Sequence, residues 1–183
     1  MRKTKGSRRQ SAFTLIELVV IVTILGILSF TALSRFINVR DAAHSAVADG
    51  VVAGLRSGAS LYRSHWFSQG SPGKGNTDRV DLVVDGISVR YRNGQVVNVN
   101  TSNHVPVGTP NRTSANTKIF HLFLATTPDP IIARNSSGTG WVMLANGQCA
   151  AVTRPRCWEY RVNGNRVARL TYASGEDGRI IVD

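Results

Sequence analysis

Histidine and cysteine are scarce in this 183-residue sequence, and neither forms the clusters that catalysis or metal binding requires. The four histidines are scattered, at positions His44, His65, His104 and His121. No nucleophile motif such as G-x-S-x-G accompanies them. No histidine or third cysteine lies close enough in sequence to the two cysteines to suggest a zinc site. We therefore expect a protein that is not an enzyme and that needs no cofactor or metal.

Acidic residues are also few, and the resulting positive charge is unevenly distributed. The chain has 22 basic and 11 acidic residues, for a net charge of +11. Five basic residues and no acidic residue lie within residues 1–12. Without these five, the chain has 17 basic and 11 acidic residues, which leaves a net charge of +6. The high isoelectric point therefore reflects in part a basic N-terminal segment, and does not by itself indicate nucleic-acid binding.

A long apolar run follows the basic segment. Residues 13–34 read FTLIELVVIVTILGILSFTALS, and their only charge is Glu17. A helix of about 20 apolar residues spans a bilayer core, and preceding basic residues favour a cytoplasmic N-terminus. A secretory signal would have a shorter apolar region of about 7–15 residues. An ordinary membrane anchor would avoid an unpaired carboxylate, because a charge in hydrocarbon costs at least a few kcal/mol.

The sequence AFTLIE at residues 12–17 resembles the cleavage motif of type IV prepilins, which have a basic leader followed by a long apolar helix. The resemblance implies that a prepilin peptidase cuts between Ala12 and Phe13 and methylates the new amine of Phe13. The downstream sequence is most similar to mannose-sensitive haemagglutinin-type pilins, and next to the major pseudopilins of type II secretion. Two residues depart from the usual pattern: Ala12 replaces glycine, and Ser34 replaces a proline that is frequent in such pilins.

Glu17 has a physical role that is independent of this resemblance. A carboxylate in an apolar helix becomes tolerable when the terminal ammonium of a neighbouring subunit neutralises it, and either group alone would be unpaired. We therefore expect Glu17 to favour polymerisation. The alternative is that Glu17 lies near the lipid headgroups and is only solvated.

The helix is expected to continue beyond the membrane over residues 35–69, which contain no proline. Apolar residues recur there at three- and four-residue spacing, as in an amphipathic helix. Gly50, Gly54 and Gly58 form a second stripe, spaced by four, which permits close approach of another backbone. We favour a contact with the chain's own sheet over a contact between subunits. Residues 69–76 are rich in Gly, Ser and Pro and end the helix.

The rest of the chain reads as a β-rich head. We predict strands at 80–84, 87–91, 95–99, 141–144, 150–153, 158–162, 166–172 and 179–182, and a short helix at 113–124. Hairpin turns are indicated at Asp85-Gly86, Asn93-Gly94, Asn163-Gly164 and Asp177-Gly178. A long helix on an antiparallel sheet is an α+β fold, and the resemblance implies this layout. The predicted segments are a leader (1–12), a membrane-spanning helix (13–34), an amphipathic continuation (35–69) and a globular head (70–183).

Cys149 and Cys157 are expected to form a disulfide after export, because oxidising compartments allow disulfides to persist. The resemblance supports this pairing, since pilins often have a disulfide near the C-terminus. Two free thiols or a metal pair are the alternatives. The major pseudopilins bind Ca²⁺ through a C-terminal loop, but the two carboxylates of residues 175–178 are too few to indicate such a site.

Three functions are compatible with these features. The first is a filament subunit of a surface pilus used for attachment, and the disulfide favours it. The second is a pseudopilin of a type II secretion system. The third is a DNA-binding competence pilin, supported by Arg154, Arg156, Arg161, Arg166 and Arg169, although basic residues on strands are more typical of a solvated face.

The resemblance also implies where the chain resides and what it contacts. It would reside in the inner membrane of a bacterium before assembly, and in a periplasmic or extracellular filament afterwards. Its expected partners are other copies of itself, the prepilin peptidase, the membrane and the assembly machinery, with DNA as the alternative partner.

Overall fold

The computed structural model describes residues 13–75, 79–124, 130–145, 148–149 and 151–183. The chain divides into two compact units, Met1–Ala42 and Ala43–Asp183. Helix α1, Leu15–Ser68, contributes residues to both units. The long N-terminal helix predicted over residues 13–34 and 35–69 is therefore confirmed, and it continues without interruption through Gly26 and residue 34. Positive φ angles at Gly70 and Gly73 then turn the chain away from helical geometry.

The second unit contains one further helix and two antiparallel sheets among its described residues. The sheets have the strand orders β1-β2-β3 and β4-β5-β6-β7. The first sheet comprises β1 (Val80–Val84), β2 (Ile87–Arg92) and β3 (Gln95–Val99). The second comprises β4 (Gly140–Met143), β5 (Pro155–Val162), β6 (Asn165–Ala173) and β7 (Ile180–Val182), and α2 spans Ala115–Phe123. The predicted α+β class is confirmed.

Tight turns set the register of three hairpins. Both central residues have positive φ in the turns Asp85-Gly86, Asn93-Gly94 and Asn163-Gly164. This backbone matches the twist of the flanking strands, and Asp, Asn and Gly adopt it at low cost. At Asp177-Gly178 only the glycine has positive φ, and residues 174–179 form a longer connection between β6 and β7.

The core of the second unit lies where α1, α2 and the two sheets meet. Buried residues of α1 (Val51, Leu55, Trp66) share one apolar cluster with residues of α2 and of both sheets. The ring of Phe120 on α2 lies 5.4 Å from Trp141 and 5.3 Å from Trp158. Aromatic pairs at such distances stabilise a core beyond their buried area.

The predicted strand at 150–153 is wrong. Ala150 is outside the described residues, and residues 151–153 form bends. Their backbone groups bond to the β6–β7 connection instead of a strand: Thr153 N–H donates to Glu176 Oε1, and Thr153 C=O accepts from Gly175 N–H. The predicted disulfide Cys149–Cys157 is present, with 5.6 Å between the Cα atoms, and it closes the loop in which these bends lie.

Candidate assembly helix

The start of α1 is defined by a side-chain cap. Thr14 Oγ1 accepts a hydrogen bond from the Glu17 backbone N–H at 3.3 Å, and Thr14 C=O accepts from Leu18 N–H. Threonine is a preferred residue at this position because its oxygen satisfies a helical N–H that has no partner in the helix. Glu17 lies in the first turn, where a negative charge interacts favourably with the helix dipole. The T-x-x-E spacing of residues 14–17 is a sequence signal for a helix start of this kind.

The first part of α1 presents its apolar side chains to the surroundings. Phe13, Leu15 and Phe36 are 70%, 81% and 72% exposed, and the apolar residues between them are exposed as well. An 18-residue window of this helix has a mean hydropathy of 2.5, and none of it is buried. By length and composition the helix can therefore cross a membrane.

Two hydroxyl groups in this stretch form hydrogen bonds within the helix. Thr23 Oγ1 donates to Val19 C=O at 2.7 Å, and Thr31 Oγ1 donates to Leu28 C=O at 3.0 Å. Such bonds remove the cost of placing a hydroxyl in an apolar medium. The Glu17 carboxylate is exposed and has no side-chain hydrogen bond or ion pair within the part of the chain that the structure describes. Ala12, the predicted residue before the cleavage site, lies outside that part, and Phe13 is the first described residue.

The three glycines of the second stripe lie in different surroundings. A Cβ at Gly58 would be 2.5 Å from the Phe123 carbonyl oxygen, and one at Gly54 would be 2.6 Å from Leu124 Cδ2. Gly50 is exposed and has no such neighbour within 4 Å. Gly54 and Gly58 thus permit close approach of α1 to the end of α2. The neighbour predicted from the sequence was the sheet.

The four histidines are scattered in the sequence, but the fold brings His104 and His121 near each other. The ring of His44 on α1 lies 3.0 Å from Tyr160 Oη. His104 bonds to the Lys118 carbonyl oxygen. The pKa of His121 is lowered by burial and by nearby His104. Within the described ranges, no group of three or more His, Cys, Asp or Glu residues could hold a metal ion.

The arginines proposed for DNA binding differ in their partners within the chain. Arg161 and Arg169 both pair with the buried Glu159 carboxylate, at 2.6 and 3.1 Å. Burial raises the pKa of Glu159, but the hydrogen bonds and charges of the two guanidinium groups lower it more, so the net shift is downward. Arg166 is exposed. Two of the five arginines are therefore held by a carboxylate of the chain itself.

The two carboxylates of the β6–β7 connection both form ion pairs with an arginine. Arg179 donates to Glu176 Oε2 at 3.3 Å and to Asp177 Oδ2 at 3.5 Å. Glu176 also accepts the Thr153 N–H through its other oxygen. Hydrogen bonds within the chain therefore hold this connection.

Comparison with known proteins gives two findings. Residues 7–33 match the prokaryotic N-terminal methylation motif. Over 53 residues the chain is 40% identical to the type IV narrow pilus major component PilA5 of Thermus thermophilus. These matched residues make up 29% of this chain and 46% of that protein. The matched stretch thus spans less than half the length of that relative. No solved structure matches the chain at a significant level.

Proposed function

We propose that this type IV pilin-like protein is the structural subunit of a pilus-like filament, made as a membrane-anchored precursor and polymerised through α1. The observation that carries the proposal is the exposed apolar start of α1 with one unpaired carboxylate, Glu17, inside the methylation motif. An apolar helix surface of this kind requires lipid or other copies of the helix around it. One element thus serves as the membrane anchor before assembly and as the filament core afterwards.

Cleavage before Phe13 would create the partner that Glu17 lacks. The new N-terminus is an ammonium group four residues before Glu17. In a filament, the ammonium of one subunit would be available to the Glu17 carboxylate of a neighbouring subunit. Methylation of this amine retains its positive charge. Pairing in a low-dielectric filament core would compensate the desolvation of both groups and fix the axial register of adjacent helices.

The filament's use is proposed as surface attachment, with a type II secretion pseudopilus as the alternative. The disulfide-closed loop at residues 149–157 supports a subunit that works outside the cell, where disulfides persist. Antibody labelling of intact cells separates the two cases. Labelled fibres on the cell surface support the pilus, while labelling that appears only after the outer envelope is opened supports the pseudopilus.

The assembly role is tested with Glu17→Ala and the uncharged isostere Glu17→Gln. Both variants should insert in the membrane as the parent does, because the helix loses a charge. Both should yield far fewer filaments in the sheared fraction, since the terminal ammonium is then buried without a counter-ion. Thr23→Val, which replaces another polar side chain of α1, is the matched control and should assemble normally. Parental filament yields from Glu17→Ala would remove the proposed role of Glu17.

A further inference from the structure

Four arginines from separate parts of the head line one small cavity of about 150 Å³. Arg79 precedes β1, Arg90 lies in β2, Arg154 precedes β5, and Arg156 lies at the start of β5. The remaining wall comes from β3 and from the first residue of α2, Ala115. Distant segments of the chain thus bring four guanidinium groups to one place.

The positive charge at this cavity is only partly compensated. Arg90 forms a two-pronged ion pair with Asp81, at 2.7 and 2.8 Å. Across the described ranges, Arg79, Arg154 and Arg156 have no carboxylate within ion-pair distance. Arginine stays protonated in proteins, so these three charges persist at neutral pH. Like charges held together in this way favour an anion between them.

Arg156 is the best defined member of the group. Its Nη2 donates to the Val97 carbonyl oxygen at 2.8 Å, which fixes the orientation of the side chain. Its Nε is buried and has no hydrogen-bond partner among the described residues. Burial is the largest effect on the pKa of Arg156, and it lowers that pKa. Nearby Arg79 also lowers the pKa, whereas Tyr172 raises it. A buried donor without a partner is costly, so this side chain is held in place with one hydrogen bond unmade.

A larger groove of about 730 Å³ adjoins the cavity and shares Ala115 and Arg156 with it. It lies at the start of α2, where Ser114 Oγ accepts the Thr117 N–H and the first turn has no acidic residue. The rest of its lining combines amide and apolar side chains with a further arginine, and it includes Asn111, Arg134, Asn135 and Met143. Its volume is within the range typical of small-molecule sites.

We propose that the arginine cavity binds the phosphate or sulfate group of a small molecule, and that the adjoining groove holds the organic part of that molecule. Guanidinium groups match the geometry of such oxyanions and donate two hydrogen bonds to each. Ala115, the first residue of α2, lines both the cavity and the groove, so the positive end of that helix lies beside the proposed anion. This inference does not depend on filament assembly, because every residue named belongs to the head.

The test uses the full chain in a nonionic detergent and calorimetric titration at low salt. The probes are inorganic phosphate, inorganic sulfate and adenosine monophosphate. The variants are Arg79→Gln and Arg156→Gln. Arg166→Gln is the matched control, because it removes the same charge from an exposed position outside the cavity. Unfolding curves establish that each variant is folded, and Arg79, which is exposed, is the least disruptive position to change.

We expect phosphate or sulfate to bind the parent chain and Arg166→Gln with similar affinity. Each cavity variant should bind about tenfold more weakly, the loss typical of one hydrogen bond to a charged group. Adenosine monophosphate should bind more tightly than phosphate because the groove adds contacts. The absence of binding by both inorganic anions would overturn the cavity assignment, as would equal weakening by Arg166→Gln. If adenosine monophosphate bound no more tightly than phosphate, the assignment of the groove would be overturned.

Discussion

Replacing Gly58 by alanine tests the close approach of α1 to α2. The added methyl would lie 2.5 Å from the Phe123 carbonyl oxygen and 2.7 Å from its Cα, both backbone atoms that cannot rotate away. The end of α2 is itself held by the bond from Leu124 N–H to Phe120 C=O. Overpacking of this kind costs about 1–3 kcal/mol, while alanine gains about 1 kcal/mol of helix propensity over glycine.

The net expectation for Gly58→Ala is a loss of up to about 2 kcal/mol in the free energy of unfolding. For a chain of this size, that corresponds to a decrease in Tm of up to about 4–8 °C. The assay is denaturant and thermal unfolding of the full chain in detergent. Tryptophan fluorescence reports on the head, because Trp66, Trp141 and Trp158 are all buried there.

Two further glycines provide matched controls on the same helix. Gly50→Ala meets no atom within 4 Å, so it should raise stability by up to about 1 kcal/mol through helix propensity alone. Gly54→Ala would meet only the tip of the Leu124 side chain, which can rotate, and its effect should lie between the other two. Equal stability of Gly58→Ala and Gly50→Ala would refute the proposed contact.

Two other predictions concern β5. Replacing Cys149 and Cys157 together by serine should lower the free energy of unfolding by about 2–3 kcal/mol, since the disulfide closes a short loop; an unchanged denaturation midpoint would contradict this. Glu159 has a lowered folded-state pKa, so its contribution to stability is complete above the unfolded pKa of about 4.3 and is lost as pH falls through the folded pKa. Glu159→Gln should therefore lower the free energy of unfolding at pH 7 by about 3 kcal/mol, because Arg161 and Arg169 lose their partner. It should also flatten the pH dependence of stability as the pH falls below about 4.3. Denaturant titrations measure the free energy of unfolding at each pH. If this free energy fell with decreasing pH as steeply in Glu159→Gln as in the parent, the proposed pairing would be contradicted.

Local signals in the sequence account for most of the secondary structure. The Asn-Gly and Asp-Gly pairs locate three hairpins because few other residues adopt positive φ at low cost. The strand predicted at 150–153 was wrong. The backbone of Thr153 bonds to the β6–β7 connection, and no local pattern encodes this contact. Strand order and the division into two sheets depend on packing between distant segments, so periodicity did not reveal them.

The two candidate sites differ in the same way. The assembly helix could be found from sequence because its basic leader, apolar run and Glu17 are contiguous. The arginine cavity could not, because Arg79, Arg90 and Arg156 are far apart in sequence and meet only in the folded head. Charge content indicated basic residues near the C-terminus, but not that Glu159 pairs with two of them.

Mass spectrometry of the N-terminus of this protein in sheared filaments tests the central claim most directly. The account predicts that the filament subunit begins at Phe13 and carries one added methyl group on its terminal amine. It also predicts that uncut chains remain in the membrane fraction. A filament subunit that begins at Met1, or sheared filaments that lack this chain, would contradict the account.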